Sequence, residues 1–554
     1  MNKDIKYALD YHEATKHSEI SLMTSRHYLD LEDRPLPFKI YTELSSYPLP
    51  LDFAQPALNA ITSISKIYPQ TSMTLTGNAI TTVVDIKRVA EILFFSGGIT
   101  REIKYPFSTF YMRAASATGA LYPIELYIIC QDLTDLKAGV YHFGPADFGL
   151  TQLRKGDYRS ELAAGGGDNL AIVTAPITII LTSIAWRNAW KYQARSYRHW
   201  FWDSGVIAAN LLATTVSMGL RTRLITGFVD DNVSRLLCLE DQREGAIAMA
   251  AIGIGLSKDS LSKDDKQIPY LDIPKVRPLS KKGEIDYPEI WRLNNSSKLF
   301  SKEEVKEWRK KKNNNNIPLI PPADRQSSTV SQVLDRQIKL IKQDNNLPNV
   351  ASLSEVILRR GSSRRFARSS VSFSILSTIL HSSTIGIPLD IFKEDGDSLI
   401  DIYLIANDID GLTPGGYFFN RKSYHLEELK RNVSRKMSGY LCLGQSLFSD
   451  ASAVLFLMTD LQSVLRSWGN RGYRVSQFEA GIIAGKIYLA AYAHGIGASG
   501  STFFDDAVTE FFSPHAISKS TMIAIGIGVP AYKAISGKIL SPRLTRQQLL
   551  IENL

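Results

Sequence analysis

Residues 190–205 read "WKYQARSYRHWFWDSG", and residues 466–481 read "RSWGNRGYRVSQFEAG". Arg195, Tyr197, Arg198 and Gly205 of the first stretch recur as Arg471, Tyr473, Arg474 and Gly481 of the second, whereas Lys191-Tyr192 is replaced by Ser467-Trp468. The same shift of 276 residues, carried outward, sets Tyr127 on Tyr403, Gly139 and Tyr141 on Gly415 and Tyr417, and Gly219 on Gly495. Near the end of each copy "AIGIGLS" matches "AIGIGVP" with a three-residue slip. A period this long is a whole domain, so the chain is a duplicated domain rather than a solenoid of short repeats.

Both copies show the same order of patterns. A helix ("DIKRVAEILFF" or "SFSILSTILHS") precedes a β-branched strand, a Gly-Tyr turn enters a second strand, and a third apolar strand follows ("APITIILTSI" or "ASAVLFLMTD"). A long apolar-periodic helix and a final strand ending in Gly-Ile-Gly complete the unit. This predicts an α+β domain, a sheet with helices packed on it. The chain divides into an N-terminal segment (1–60), a first domain (61–256), a linker (257–345) and a second domain (346–554). The linker is rich in Lys, Asn, Pro and Ser, with one short helical stretch at "KEEVKEWRKK" read as a solvated helix.

Composition supports two substantial cores. A single core stops growing near about 250–300 residues, and this chain has 554. With 44% apolar and 21% charged residues it falls among ordinary globular proteins. Cys130, Cys238 and Cys442 lie far apart in apolar runs without a C-x-x-C spacing, which predicts buried, inert thiols and no metal centre. His12 and His17 lack further Cys or His partners and are read as packing residues. The start has no apolar run of a secretory signal, and no stretch reaches the roughly 18 apolar residues of a membrane span. A cytoplasmic protein without membrane attachment is expected. A net charge of +9 with no groove-reading motif argues against nucleic acid. "AAGGGDN" lacks the Lys-Ser/Thr of a phosphate loop and reads as a turn.

The order of "RAASATGALYPIELY", "GVYHF", "KYQARSYRHWFWDSG" and terminal Gly-Ile-Gly resembles the nitroreductase-like flavoenzymes. More narrowly it resembles the SagB-type dehydrogenases, which oxidise azolines to azoles in thiazole/oxazole-modified peptides. The opening "YHEATKHS" is similar to the N-terminal segment of that subgroup. The resemblance implies FMN held at a dimer interface, with one partner gripping the phosphate through an Arg-x-Ser-x-Arg stretch. The other partner presents a Ser/Gly-rich segment to the ring. In this chain it implies two tandem nitroreductase-like FMN-binding domains forming an intramolecular pseudo-dimer, monomeric in solution.

Each copy carries one half of that site. In the second, "RRGSSRRF" offers Arg360, Ser362 and Arg364, whose alternation lets two guanidinium groups and a hydroxyl converge on one phosphate. At the equivalent place the first copy reads "SMTLTGNA", with no cation. The first copy has the ring-facing segment, with Arg113, Ser116 and Gly119 ahead of Tyr122-Pro123. Shifted forward, those positions become Leu389, Phe392 and Asp395, which do not make such a loop. One complete FMN site and one abandoned site follow. Lys538 and Arg543 stand where the family places a further phosphate cation.

Lys191 and Tyr192, present in one copy only, are the candidate acid/base pair, since the segment around them projects over the flavin in this family. Arg195, Tyr197 and Arg198 recur in both copies and are read as structural. The function expected is FMN-dependent dehydrogenation of an azoline-type heterocycle in a peptide or small precursor, with possible biosynthetic complex partners. The competing readings are an NAD(P)H-dependent nitro- or quinone-reductase and a flavin-less scaffold subunit.

Overall fold

The computed structural model describes residues 2–66, 83–106, 108–253, 268–310, 337–341, 350–393, 397–539 and 544–550. Two seven-stranded antiparallel sheets dominate it. The first runs Ser46–Pro48, Gly149–Lys155, Gly139–Gly144, Ile124–Cys130, Ile177–Ile184, Glu244–Ile252, Thr222–Ile225. The second runs Gln337–Lys339, His425–Arg431, Gly415–Asn420, Asp401–Ala406, Ala453–Thr459, Ser520–Gly528, Gly497–Ser501. The central strands are buried on both faces, which is why "IELYIIC" and "AVLFLMT" are nearly continuous apolar runs instead of alternating ones.

The duplication extends to irregularities. β-bulges lie between Val140 and Tyr141 and between Leu181 and Thr182 in the first sheet. They recur between Gly416 and Tyr417 and between Leu457 and Met458 in the second, at the same shift of 276. The last strand departs from the sequence match. Ile177 pairs with Ile252 and Ala453 with Ile527, whereas the "AIGIG" alignment sets Ile252 on Ile525. A slip of two residues keeps every side chain on its face, so the sequence pattern tolerates it.

Each sheet takes its outermost strand from outside the expected domain: Ser46–Pro48 from the N-terminal segment and Gln337–Lys339 from the linker. The linker also enters the body of the protein. Helices Pro288–Ser296 and Lys302–Lys310 bury Trp291, Val305 and Trp308, so the second of these is amphipathic rather than solvated all round.

Two long helices, Ser196–Ser217 and Asn470–Ala493, cross at the centre. Both are buried on nearly every side, with apolar C-terminal halves and charged N-terminal turns whose arginines are paired. Their crossing requires glycine: a Cβ on Gly205 would lie 2.6 Å from the Gly481 backbone. Arg195 and Arg198 donate to the Asp505 carboxylate of the second unit at 3.0 and 2.7 Å, and Arg471 and Arg474 donate to Asp230 of the first at 2.6 and 2.8 Å. This reciprocal clasp is an isologous interface within one chain. Burial alone would raise these carboxyls; the paired arginines outweigh it and hold both below the usual range. Helix Lys6–Ala14 lies on the pseudo-two-fold axis, where Tyr11 meets Tyr197 and its copy Tyr473 edge-on at 5.7 and 5.8 Å. His12 packs beside Tyr473. The three cysteines are buried and unbridged. Among the described residues no helix is long and apolar enough to cross a membrane.

Candidate functional site

The first interface joins the turn after strand Ser108–Arg113 of unit one to the turn after helix Leu353–Arg359 of unit two. The first turn is held in left-handed backbone at Gly119 (φ 63°), Ala120 (φ 52°) and Tyr122 (φ 50°). Glycine at 119 is required twice over, because a Cβ there would also lie 2.8 Å from the Tyr192 hydroxyl. Tyr192 ends helix Ala185–Tyr192, and its ring meets His199 edge-on at 4.4 Å. Lys191 Nζ lies 5.4 Å from the centre of that ring.

Asp203 anchors the turn from below, accepting from Thr118 N and Oγ1 at 2.8 and 2.7 Å. Burial pushes its carboxyl up to about 7. Its copy, Glu479, is also raised to about 7 by burial and accepts from Ser398 and Leu399. An acid kept in both units is a loop anchor. Arg113 works from behind: it packs between the Phe38 and Tyr122 rings and donates to the Pro37 carbonyl. Ser116 is half-buried beside Gly119 in the same turn.

Unit two meets this turn through Arg360, whose Nε and Nη2 donate to the carbonyls of Ala114 and Arg113, each at 3.0 Å. Reciprocally, Arg101 of unit one donates to the carbonyls of Leu358, Arg359 and Arg360. Arg360 is therefore a buried strap between the units, and Arg364 is the cation left facing outward, with no side-chain hydrogen bond among the described residues. Arg364 and Arg34 lie close enough to Lys191 to act on it: burial, then Arg34, then Arg364, lower its pKa. Burial raises the Tyr192 phenol, keeping it protonated. Ser362 approaches the Tyr488 hydroxyl at 3.4 Å, and the Tyr532 hydroxyl accepts from Arg364 N at 3.1 Å. Arg543, like Met73 and Gly77 of the cation-free stretch in unit one, lies outside the described residues; Lys538 is exposed near the turn, with its N–H on the Thr100 carbonyl.

The second interface has the same frame and different contents. Asp390, the copy of Ala114, accepts from Thr226 N, Thr226 Oγ1 and Gly227 N at 2.9, 2.7 and 3.0 Å. Arg309 of the linker helix pairs with Asp390 at 3.2 Å, and Trp308 donates to the Trp468 carbonyl at 2.9 Å. Leu389, Phe392 and Trp468 are buried as core. In the first interface the corresponding amides, Thr502 N and Phe503 N, have no hydrogen-bond partner among the described residues. A polar, flat ring with acceptor atoms and a phosphate tail fits the first interface: two free amides, an outward cation and a cradle that a Cβ would fill. The second is closed to such a group.

Sequence reasoning missed Arg34, which donates to the Ala120 carbonyl at 3.0 Å, and the Thr502–Phe503 amides. A signal existed for the plug: at the constant shift, small Ala114 becomes acidic Asp390. Arg34 belongs to unduplicated sequence and left none.

The pattern of the nitroreductase family matches residues 83–255 and 418–528, together more than half of the chain. A protein of Methanocaldococcus jannaschii named as a nitroreductase is 25% identical over 156 residues, covering 28% of this chain and 75% of that protein. The microcin B17-processing protein McbC of Escherichia coli is 28% identical over 130 residues, covering 23% of this chain and 47% of McbC, so the match spans about half of McbC. A solved structure from Anabaena variabilis, also named as a nitroreductase, superposes with a TM-score of 0.72 at 22% identity, over 95% of this chain and 99% of that one. With both matched regions falling on the two sheets just described, the chain belongs to the nitroreductase family, as a mixed helix-and-sheet oxidoreductase with two nitroreductase regions in one polypeptide.

Proposed function

We propose that the protein is an FMN-dependent dehydrogenase that oxidises an azoline-type ring in a modified peptide or a related precursor, using one site at the first interface. The observation that carries this reading is the meeting of Lys191 and Tyr192 of unit one with Arg364 of unit two at an interface whose Thr502 and Phe503 amides have no partner among the described residues, against the closed second interface. Similarity to a protein named for processing microcin B17 supports a role in processing such a product, and the azoline rests on the resemblance carried by the sequence motifs.

FMN, when bound, supplies a hydride acceptor. The chain's own residues do the rest. Arg364 and the tyrosine hydroxyls around the 360–364 turn would hold the phosphate, and the Thr502 and Phe503 amides would meet the ring edge. Aromatisation also requires loss of a proton from carbon, and Lys191 is the base: half-buried and flanked by two guanidinium groups, it reaches its neutral form more readily than an ordinary lysine. The protonated Tyr192 phenol, fixed against Gly119, orients the substrate by donating a hydrogen bond.

The experiment is flavin release and turnover in the purified full chain. One FMN per chain and conversion of a thiazoline- or oxazoline-bearing peptide to the azole are expected. A ratio near two would refute the single site, and rapid flavin reduction by NADPH without azoline turnover would establish a reductase instead. A colourless protein that takes up no added FMN would leave the scaffold reading.

A further inference from the structure

Unit one contains a buried ionic cluster that unit two lacks. Glu125, on strand Ile124–Cys130, lies between Arg187, which donates to it, and His142, whose Nε2 is 2.7 Å away. All three side chains are at most 1% exposed. Arg187 also donates to the carbonyls of Leu36 at 3.0 Å and Tyr122 at 2.9 Å. Beyond His142 the polar chain continues through the rings of Tyr41 and Tyr127 to Glu244 and Lys39.

The duplicate supplies a control. At the shift of 276, Glu125 becomes Asp401, which pairs with Lys519 at the surface; His142 becomes Phe418; Arg187 becomes Ser463, a residue in the first turn of its helix. A buried ion pair is weak support for stability, because desolvation offsets most of the Coulomb attraction. The second unit folds the same strands in the same register without it. The cluster therefore needs a reason specific to unit one.

Its location gives one. Arg187 is one helical turn before Lys191 on helix Ala185–Tyr192, and its Tyr122 acceptor closes the turn that contains Gly119. One guanidinium thus fixes the helix bearing Lys191-Tyr192 to the turn on which the Tyr192 hydroxyl rests. We propose that Arg187, held by Glu125 and His142, is the positioning residue that sets Lys191 and Tyr192 against the covering turn. The proposal rests on the functional reading above only in that Lys191-Tyr192 is taken as the reacting pair. Lysine in place of Arg187 cannot serve three acceptors in one plane, and glutamine in place of Glu125 removes the charge that orients the fork.

The test uses Arg187→Lys and Glu125→Gln in the full chain, each alone and combined with Lys191→Ala. Alone, each should lower azoline turnover by about 10- to 100-fold with KM and FMN content unchanged, the scale of a misplacement of about 1 Å. On the Lys191→Ala background the further loss should be under about 3-fold, since residues serving one transfer act as a unit. In the flavin-free protein, hydrogen exchange across 185–192 should quicken in both variants and stay unchanged across 461–468. Equal fold-losses on both backgrounds, unchanged exchange at 185–192, or turnover lost in step with FMN would overturn the proposal. If Lys191→Ala alone retains full turnover, the functional reading fails, and the exchange result still decides whether Arg187 sets the helix.

Discussion

At the first interface the amides of Thr502 and Phe503 have no partner among the described residues, while at the second the equivalent amides of Thr226 and Gly227 end on the Asp390 carboxylate. Buried amides require a partner, so an interface without a ligand must supply one from its own sequence. The second interface does so with Asp390, neutralises that acid with Arg309, and covers the Trp468 carbonyl with Trp308. The difference teaches that the two sites are distinguished by which atoms remain unpaired, since the helices, sheets and clasps framing them are the same.

The comparison breaks most directly at Lys191-Tyr192 and Ser467-Trp468. Lys191→Ala and Tyr192→Phe should keep FMN and fold but lower turnover by a factor on the order of 100 to 10,000. Ser467→Ala should leave turnover within twofold of the unchanged protein, an order-of-magnitude bound for a residue outside the chemistry. Loss at Ser467 with retention at Lys191 would assign the chemistry to the other interface.

The clasps, by contrast, should respond alike. Asp505→Asn and Asp230→Asn each leave two buried arginines without their acid, and removing one partner of a buried pair costs about 3–5 kcal/mol. Their pH signature follows from the lowered carboxyls. The native state binds fewer protons than the unfolded chain, so the stabilisation is complete above the unfolded value of about 3.9 and drains away as pH falls towards the depressed one. Chemical denaturation from about pH 5 down to about pH 2 should show that slope in the parent protein and a reduced slope in both variants. A slope lost in only one would mean that the interfaces are not energetically equivalent.

The two arginines of the 360–364 turn sharpen the comparison further. Arg364→Ala should weaken FMN binding about ten- to a hundredfold, with the melting temperature of the flavin-free protein unchanged, since the side chain is exposed. Arg360→Ala should lower both, because the carbonyls of Arg113 and Ala114 lose a buried donor. Equal effects on flavin and no effect on melting would return Arg360 to the phosphate grip that its spacing suggests.

Much of this was legible because duplication turns one sequence into an alignment. Landmarks that recur, such as Arg195, Arg198, Arg471 and Arg474, were readable as structural, and the clasps bear that out. Residues present once, such as Lys191-Tyr192, pointed to the site proposed at the first interface. Spacing alone could not separate a strap from a grip at Arg360, since both need a guanidinium at the same place in the turn. Nor could it place Trp308, because an amphipathic helix in polar sequence shows only two buried positions per nine residues. Glu125 and Arg187 were hidden for a different reason: their partner is fixed by strand register and helix packing, which no local pattern reports.

The smallest expected effect concerns Arg34, whose segment has no copy in the second unit. It lowers the Lys191 pKa after burial and ahead of Arg364, and its side chain is half-buried, so the interaction is partly screened. If neutral Lys191 takes the substrate proton, turnover falls on the acid side as the amine gains its proton. Removing a neighbouring positive charge favours the protonated amine, which raises its pKa and moves the acid limb of kcat/KM to higher pH. Arg34→Gln should shift that limb upward by on the order of a few tenths of a pH unit, the scale of one screened charge. Arg34→Lys keeps the charge and should leave the limb in place, even though the hydrogen bond to the Ala120 carbonyl is rearranged. A limb that moves equally in both variants would trace to that hydrogen bond and the Gly119 turn, and a limb that stays in place in Arg34→Gln would mean that Lys191 is not the titrating group, because losing a nearby cation raises the pKa of any group it acts on.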